Sequence, residues 1–274
     1  MKQVKFGPRR SGRYSWCVGI PGQVVRGEYR VVRPIARGAV ATVYLAFDRK
    51  GRPHAVKVFP EGYAQRADRE WQVGRSLDHP NVNPVLDRLD VGELPAVLLA
   101  YAPGRRLSER GHDPEGFMPI FHQLMAALAH VHERGFVHRD VKPENVIVSR
   151  DDRARLIDFD LAGPRDEETA RLRLGTLAYI APEQVRGEGV SPATDVYAAG
   201  ILLFWGLTGE LPYVGPVPKV LSAHLHDPLP RAPGFDPESA LGRVLTRMVA
   251  KDPGDRYPNA GAALAALQGA APLS

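Results

Sequence analysis

The stretch Val137-His138-Arg139-Asp140-Val141-Lys142-Pro143-Glu144-Asn145-Val146-Ile147 decides how the rest of this chain is read. It sets one carboxylate, Asp140, on a short loop between two β-type runs, with Lys142 two residues on and Asn145 five residues on. Moving a phosphoryl group from a nucleotide to a hydroxyl needs three chemistries side by side. A carboxylate orients the hydroxyl and accepts its proton, a cation neutralises the moving charge, and an amide oxygen helps to hold a metal. A surface turn also carries charged residues. Five fixed residue types at one spacing, however, arise by chance on the order of once in ten thousand chains of this size.

Working outward, Leu156-Ile157-Asp158-Phe159-Asp160 reads as a strand that delivers a second carboxylate, Asp158. Upstream, His54 to Phe59 is an apolar strand holding one lysine, Lys57, which is costly there unless paired. Such a lysine could also point to solvent at an edge; a helix of about Ala64 to Leu77, carrying Glu70, follows. Tyr29 to Ile35 and Thr42 to Phe47 read as strands joined through Ala36-Arg37-Gly38-Ala39-Val40-Ala41, a hairpin that can approach a phosphate closely. Val97 to Tyr101 reads as a further strand leading to a connector, Ala102-Pro103-Gly104. Pro114 to Arg134 spaces Phe117, Phe121, Leu124, Leu128 and Val131 as one face of a core helix.

At these residues the chain resembles Hanks-type (eukaryotic-like) protein kinases of bacteria, and Lys142 two places after Asp140 marks the serine/threonine variant. The resemblance covers residues 28 to 267. It implies an α+β chain of two lobes. Residues 28–102 would form a small, mainly antiparallel β lobe with one key helix, and 103–267 a larger, mainly α-helical lobe. A basic arm (1–27) and a short tail (268–274) would flank them.

The resemblance also assigns expected roles. Asp140, Lys142, Lys57 and Glu70 would be catalytic, with ATP as phosphoryl donor. Asn145 and Asp158 would hold Mg²⁺, with Mn²⁺ as an alternative. Lys57 would contact the α- and β-phosphates and pair with Glu70, an ion pair that would hold the helix in its active position. Ile35, Gly38, Val43, Ala55 and Ile147 would surround the nucleotide, Leu99 would stand behind the adenine, and the backbone from Ala100 to Ala102 would meet its edge. Arg139 would face a phosphorylated residue, for which Thr169 and Thr176 are candidates; the acids Asp166, Glu167 and Glu168 could stand in for that phosphate. Asp195 would brace the catalytic loop, and Glu183 of Ala181-Pro182-Glu183 would pair with the distant Arg256 as a buried staple.

Four positions depart from the family pattern. Ala36 and Ala41 replace the outer glycines of the phosphate hairpin, which implies a stiffer lid. Gly74, one turn after Glu70, stands where a bulky apolar residue is usual and implies a loosely held helix. Asp160 replaces the glycine after Phe159; aspartate tolerates left-handed backbone, so the active loop form stays reachable while the flipped form is disfavoured. Together these departures define the alternative reading, a nucleotide-binding scaffold that regulates a partner without efficient transfer.

Composition sets the outer bounds. The 274 residues, 44% hydrophobic and 24% charged, are ordinary for a globular chain. The single cysteine, Cys17, excludes an intrachain disulfide and fits a reducing compartment, the cytoplasm. The longest apolar run, Val196 to Leu207, is too short to span a bilayer and reads as a buried helix. In the first thirty residues Lys2, Lys5, Arg9, Arg10, Arg13, Arg26 and Arg30 face one acid, Glu28. That arm has the charge to touch nucleic acid or an acidic partner, although a solvated tail is the plainer reading. The expected partners are proteins bearing serine or threonine, a second copy of the chain for autophosphorylation, and no membrane.

Overall fold

The computed structural model describes residues 20–165 and 177–270. Strands β1 (Val24–Val25), β2 (Tyr29–Arg37), β3 (Thr42–Phe47) and β4 (Pro53–Val58) lead into helix α1 (Ala64–Gly74), followed by β5 (Val85–Val91) and β6 (Leu94–Ala100). The strands form one sheet in the order β1-β2-β3-β4-β6-β5, with every pairing antiparallel. Both faces of this sheet are covered, which is why β4 reads as continuously apolar. Val56 and Val58 enter one core with Val31, Tyr44, Ala46 and Leu98. Residues two apart share a face, so Ala55 and Lys57 turn to the other side. There α1 covers the sheet through Ala67 and Trp71, packed with Phe59, Val85 and Val97.

The second lobe runs through β7 (Arg105–Arg106), α2 (Pro114–Glu133), β8 (Phe136–Val137), β9 (Val146–Val148), β10 (Ala154–Leu156) and β11 (Gly163–Pro164). Helices α3 (Pro182–Arg186), α4 (Pro192–Thr208), α5 (Val217–His226), α6 (Ala240–Met248) and α7 (Ala260–Ala270) complete it. The start of α2 is fixed by Asp113, whose side chain accepts from the Gly116 amide at 3.1 Å, and by Pro114 in the first turn. Its face of Phe117, Phe121, Leu124, Leu128 and Val131 is buried. Helix α4 is apolar all round because it is the central element of the lobe. It stops at Gly209, whose φ of 78° is the left-handed conformation that ends helices. The Val196–Leu207 run is therefore core, and among the described residues no helix is long and apolar enough to cross a membrane. The architecture is the two-lobed α+β arrangement expected from the sequence.

The seam between the lobes is made by the segment after α1. The Asn83 amide donates to Leu156 O at 2.9 Å, the Leu156 amide donates to Asn81 O at 2.8 Å, and Asn81 Nδ2 donates to Ala154 O at 2.8 Å. Val73, Leu77 and Val82 belong to the core of the larger lobe. The end of α1 is thus anchored below the cleft while its beginning rests on the sheet.

Two boundaries differ by three residues from the sequence reading. Helix α1 ends at Gly74, and the chain to Leu77 continues as tighter turns, Ser76 N to Val73 O at 3.0 Å and Leu77 N to Gly74 O at 3.2 Å. Strand β6 begins at Leu94, three residues before the expected start, because β5 and β6 form a hairpin across Gly92 and Glu93.

Gly74 overturns the expectation of a loosely held helix. It is buried, and a Cβ added there would meet Val85 Cγ2 at 2.1 Å and Cβ at 2.7 Å. Val85 on β5 fills the space a larger residue would take, so the glycine lets helix and sheet close together. Gly74→Ala is expected to destabilise the protein by about 1–3 kcal/mol, the overpacking outweighing the gain of about 1 kcal/mol in helix propensity. Thermal unfolding checks this, with Gly74→Ala/Val85→Ala recovering part of the loss. A single variant at least as stable as the parent would contradict it.

Candidate active site

Between the lobes lies a cleft of about 620 Å³. Its upper wall comes from β2, β3, β4 and the hairpin between β2 and β3, through Ile35, Val43, Ala55 and Gly38. Leu99, Ala100 and Ala102 form its back edge, and Ile147 on β9 lies opposite the sheet. Asp140, Lys142, Asn145, Asp158, Lys57 and Glu70 line the same cleft, so the sequence-nominated residues converge on one space. Asn83, which the sequence reading missed, lines it too; its side chain donates to Ala100 O at 3.0 Å and holds the connector between lobes. Nothing in a lone asparagine before a proline signals that task.

The hairpin over the cleft carries no strained backbone. Gly38 N donates to Ala41 O at 2.8 Å, and no residue from Ala36 to Ala41 has positive φ. Ala36 and Ala41 sit where alanine is conformationally ordinary, which removes the reason to expect a penalty there.

On the cleft side of β4, Lys57 Nζ lies 2.7 Å from Glu70 Oε2 and 2.7 Å from Asp158 Oδ1. Burial alone would lower the Lys57 pKa; the carboxylates of Asp158, Glu70 and Asp160 override it and hold the ammonium charged. Burial would raise the Asp158 carboxyl, and the Lys57 ammonium instead holds it well below the usual carboxylate range. Burial pushes the Glu70 carboxyl up, with Lys57 opposing it, and the three groups together form a strut from sheet to helix to loop.

In the catalytic loop, Asp140 Oδ2 accepts from Lys142 Nζ at 2.7 Å and from Asn145 Nδ2 at 2.9 Å. Asn145 Nδ2 also donates to Asp140 O at 2.8 Å. Asp140 Oδ1 is buried and has no hydrogen-bond partner among the described residues. An unmatched buried acceptor costs about 1–3 kcal/mol, which a bound donor would relieve. With both amide protons of Asn145 spent on Asp140, its carbonyl oxygen is the end left for a cation.

The loop is held from beneath. Asp195, in the first turn of α4, accepts from His138 N at 2.7 Å, Arg139 N at 2.8 Å and His132 Nε2 at 2.9 Å. His132 is fixed in turn because its Nδ1 accepts from Ala260 N at 3.1 Å. This brace stabilises Arg139 in left-handed backbone, φ 69°, a conformation unfavourable for any residue with a Cβ. His138 is fully buried, its Nδ1 accepting from Asp140 N at 3.3 Å and its ring edge-on to Phe159 at 5.2 Å. The Arg139 guanidinium donates to Pro164 O. Thr169 and Thr176, with the acids Asp166 to Glu168, lie outside the described residues.

Asp160 differs from expectation. The left-handed residue of its segment is Asp158, φ 70°, whereas Asp160 has no positive φ. Its carboxyl is buried and lies 3.2 Å from Arg66 Nη1. Burial pushes the Asp160 carboxyl up to about 7, Lys57 opposes this, and Asp158 and Glu70 add to it, so near neutral pH it bears less than a full charge.

For a divalent cation, the hard oxygens of Asn145 and Asp158 are the fitting donors in this cleft. Among the described residues no group of three or more His, Cys, Asp or Glu converges as a closed metal site. Two protein ligands plus ligand oxygens and water suit Mg²⁺, which keeps several waters.

Below the cleft, Arg256 is buried and forks onto Glu183 through Nη1–Oε1 and Nη2–Oε2, both at 2.8 Å. Thr194 Oγ1 donates to Glu183 Oε1 at 2.8 Å, a contact the sequence did not announce. Nearby, Lys251 Nζ donates to Ala223 O at 3.2 Å and His224 O at 2.9 Å, closing the end of α5. His224 Nδ1 lies 3.0 Å from Tyr197 Oη, and burial, helped by the Lys251 ammonium, pushes this histidine down to about 4. Between about 4 and the ordinary value of 6.5 the unfolded chain binds a proton that the folded chain refuses. The contribution is complete above pH 6.5 and is lost as pH falls toward 4, amounting to about 3 kcal/mol. His224→Gln should therefore flatten the fall in Tm between pH 6.5 and 4.5; an unchanged slope would reject the assignment.

The sequence matches the protein kinase domain family over residues 29–264. It is similar to the serine/threonine-protein kinase PrkC of Bacillus subtilis, 32% identical over 257 residues, covering 87% of this chain and 40% of that protein. It is also similar to the serine/threonine-protein kinase pkn2 of Myxococcus xanthus, 34% identical over 86% of this chain and 32% of that protein. The DNA damage-responsive serine/threonine-protein kinase RqkA of Deinococcus radiodurans is 36% identical over 90% of this chain and 40% of its own length. The chain thus spans 32–40% of these relatives.

Proposed function

Since this chain belongs to the protein kinase domain family, we propose that it transfers the terminal phosphoryl group of ATP to serine and threonine hydroxyls of proteins in bacterial signalling. The observation that carries the reading is Asp140 Oδ1, a buried carboxylate oxygen lacking a partner among the described residues, beside Lys142 at the cleft floor. The substrate hydroxyl donates to Asp140 Oδ1, which sets its oxygen in line with the γ-phosphorus and takes the proton. The new oxygen–phosphorus bond forms as the bond from the γ-phosphorus to the bridging oxygen breaks, and ADP keeps those electrons. Lys142 offsets charge on the moving group, while Lys57, locked by Glu70, holds the α- and β-phosphates. Asn145 and Asp158 would hold Mg²⁺, which supplies charge neutralisation across the phosphates when bound.

In this reading residues 28–102 serve as the nucleotide lobe and 103–267 as the substrate lobe. The expected arm 1–27 and tail 268–274 hold only in part as flanking pieces, since Ile20 and Val25 are buried in the sheet core, Val24–Val25 pairs into the sheet as β1, and α7 runs to Ala270. The reaction belongs in the cytoplasm, where ATP is supplied, and a second copy of the chain is one acceptor. The scaffold reading loses its support, because Ala36, Ala41 and Gly74 have ordinary structural reasons and Asp160 is paired.

The test is transfer of label from γ-labelled ATP with Mg²⁺ to a generic acceptor protein and to the chain itself, followed by phosphoamino-acid analysis. Phosphoserine or phosphothreonine is expected. Nucleotide binding without any transferred label, across Mg²⁺ and Mn²⁺, would overturn the reading.

A further inference from the structure

Helix α1 reaches the cleft by two side chains one turn apart. Glu70 meets Lys57, which in turn meets Asp158. Arg66 lies four residues earlier on the same face and meets Asp160 at 3.2 Å. Asp160 is 5% exposed and stands two residues after Asp158. The Arg66 side chain is about three-quarters covered and its guanidinium lies 5.8 Å from the Tyr63 ring, which limits its freedom. A glycine at position 160 would offer nothing for Arg66 to hold.

We propose that Arg66 is a positioning residue for phosphoryl transfer, acting through Asp160 to tie α1 to the Asp158 segment as a second strut beside Glu70–Lys57. The consequence for transfer rests on the kinase reading above; the tie itself does not. One strut fixes the distance between helix and loop, while two, a helical turn apart, also fix the rotation of the helix against the loop. Asp158 in left-handed backbone, φ 70°, is the group whose direction depends on that rotation. The extra carboxylate at 160 is thereby a built-in anchor supplied by the chain itself.

Two measurements test this. The first is hydrogen exchange in nucleotide-free protein, for Arg66→Gln, Asp160→Gly and the double variant. Each single change is expected to speed exchange in residues 64–74 and 158–162 by about fivefold, with the double variant no faster than either single one, as for partners of one contact. Unchanged exchange, or effects that multiply, would overturn the tie. The second is steady-state kinetics of the full chain. Arg66→Gln should lower kcat by about fivefold with KM for ATP within about twofold, Asp160→Gly should add little to it, and Arg66→Lys should recover most of the rate. Loss through KM alone, or no recovery with lysine, would mean that Arg66 does not position the reacting groups. If the wild-type chain transfers no phosphate, the kinase reading fails, and the exchange result still decides the tie.

Discussion

Asp140→Asn is expected to lower kcat by about a thousandfold while leaving KM for ATP within about twofold. The substitution keeps size and shape, so the loop should keep its form. Lys142 and Asn145 both donate to Asp140 Oδ2. The asparagine carbonyl must therefore take that position to satisfy them. Its amide nitrogen then occupies the place of Oδ1, where it presents a donor to a hydroxyl that needs an acceptor. The proton has nowhere to go, and the in-line pose loses its hydrogen bond. A thousandfold loss corresponds to about 4 kcal/mol of barrier, which one inverted hydrogen bond and a missing base together account for. Single-turnover transfer measured beside equilibrium nucleotide binding checks the split. A variant that transfers at the parental rate would remove Asp140 from the chemistry.

Arg256→Ala is expected to cost about 3–5 kcal/mol of stability, the usual penalty for breaking a buried ion pair on one side. In a chain of this size that lowers Tm by about 10 °C. Besides its fork on Glu183, Arg256 donates to Ala193 O at 3.0 Å, Ala250 O at 2.7 Å and Lys251 O at 3.1 Å. Its plane also lies 4.8 Å from the Tyr197 ring centroid. Removal strands a carboxylate and three carbonyls together. Arg256→Lys should fare little better, since a point charge cannot fork. The paired change Glu183→Leu/Arg256→Met should cost less than either single truncation to alanine, because it leaves no uncompensated charge. Urea unfolding of the parent, Arg256→Ala, Arg256→Lys, Glu183→Ala and the paired variant checks the order; a cost below about 1 kcal/mol for Arg256→Ala would show that the pair is not a staple.

Much of this was legible in the sequence because the chemistry sits in local runs. Asp140, Lys142 and Asn145 are within six residues of one another, and the sequence alone fixes their spacing. Lys57 was legible as a charge with no apolar excuse, and the α2 face as a helical period. What was hidden depends on contacts between distant segments. Gly74 looked like a weakness until Val85, eleven residues on, was found in its place. Arg66 looked like any helix arginine, and its partner is ninety-four residues away. Asp160 was read for its backbone, yet its side chain does the binding and the left-handed residue is Asp158. His132 and Thr194 carry polar contacts that no periodicity announces. Helix ends were off by a few residues where turns tighten gradually.

The seam at Asn81, Asn83 and Leu156 has a mechanical consequence. It is the line about which the sheet can swing against the helices, because the three backbone and side-chain bonds there join the halves without passing through the cleft. In such a swing the Ala36–Ala41 tip travels furthest and the tail of α1 hardly moves. Admission of a nucleotide and alignment of Glu70 are then separate motions, and a molecule gaping wide at its mouth can still keep its rear linkage engaged.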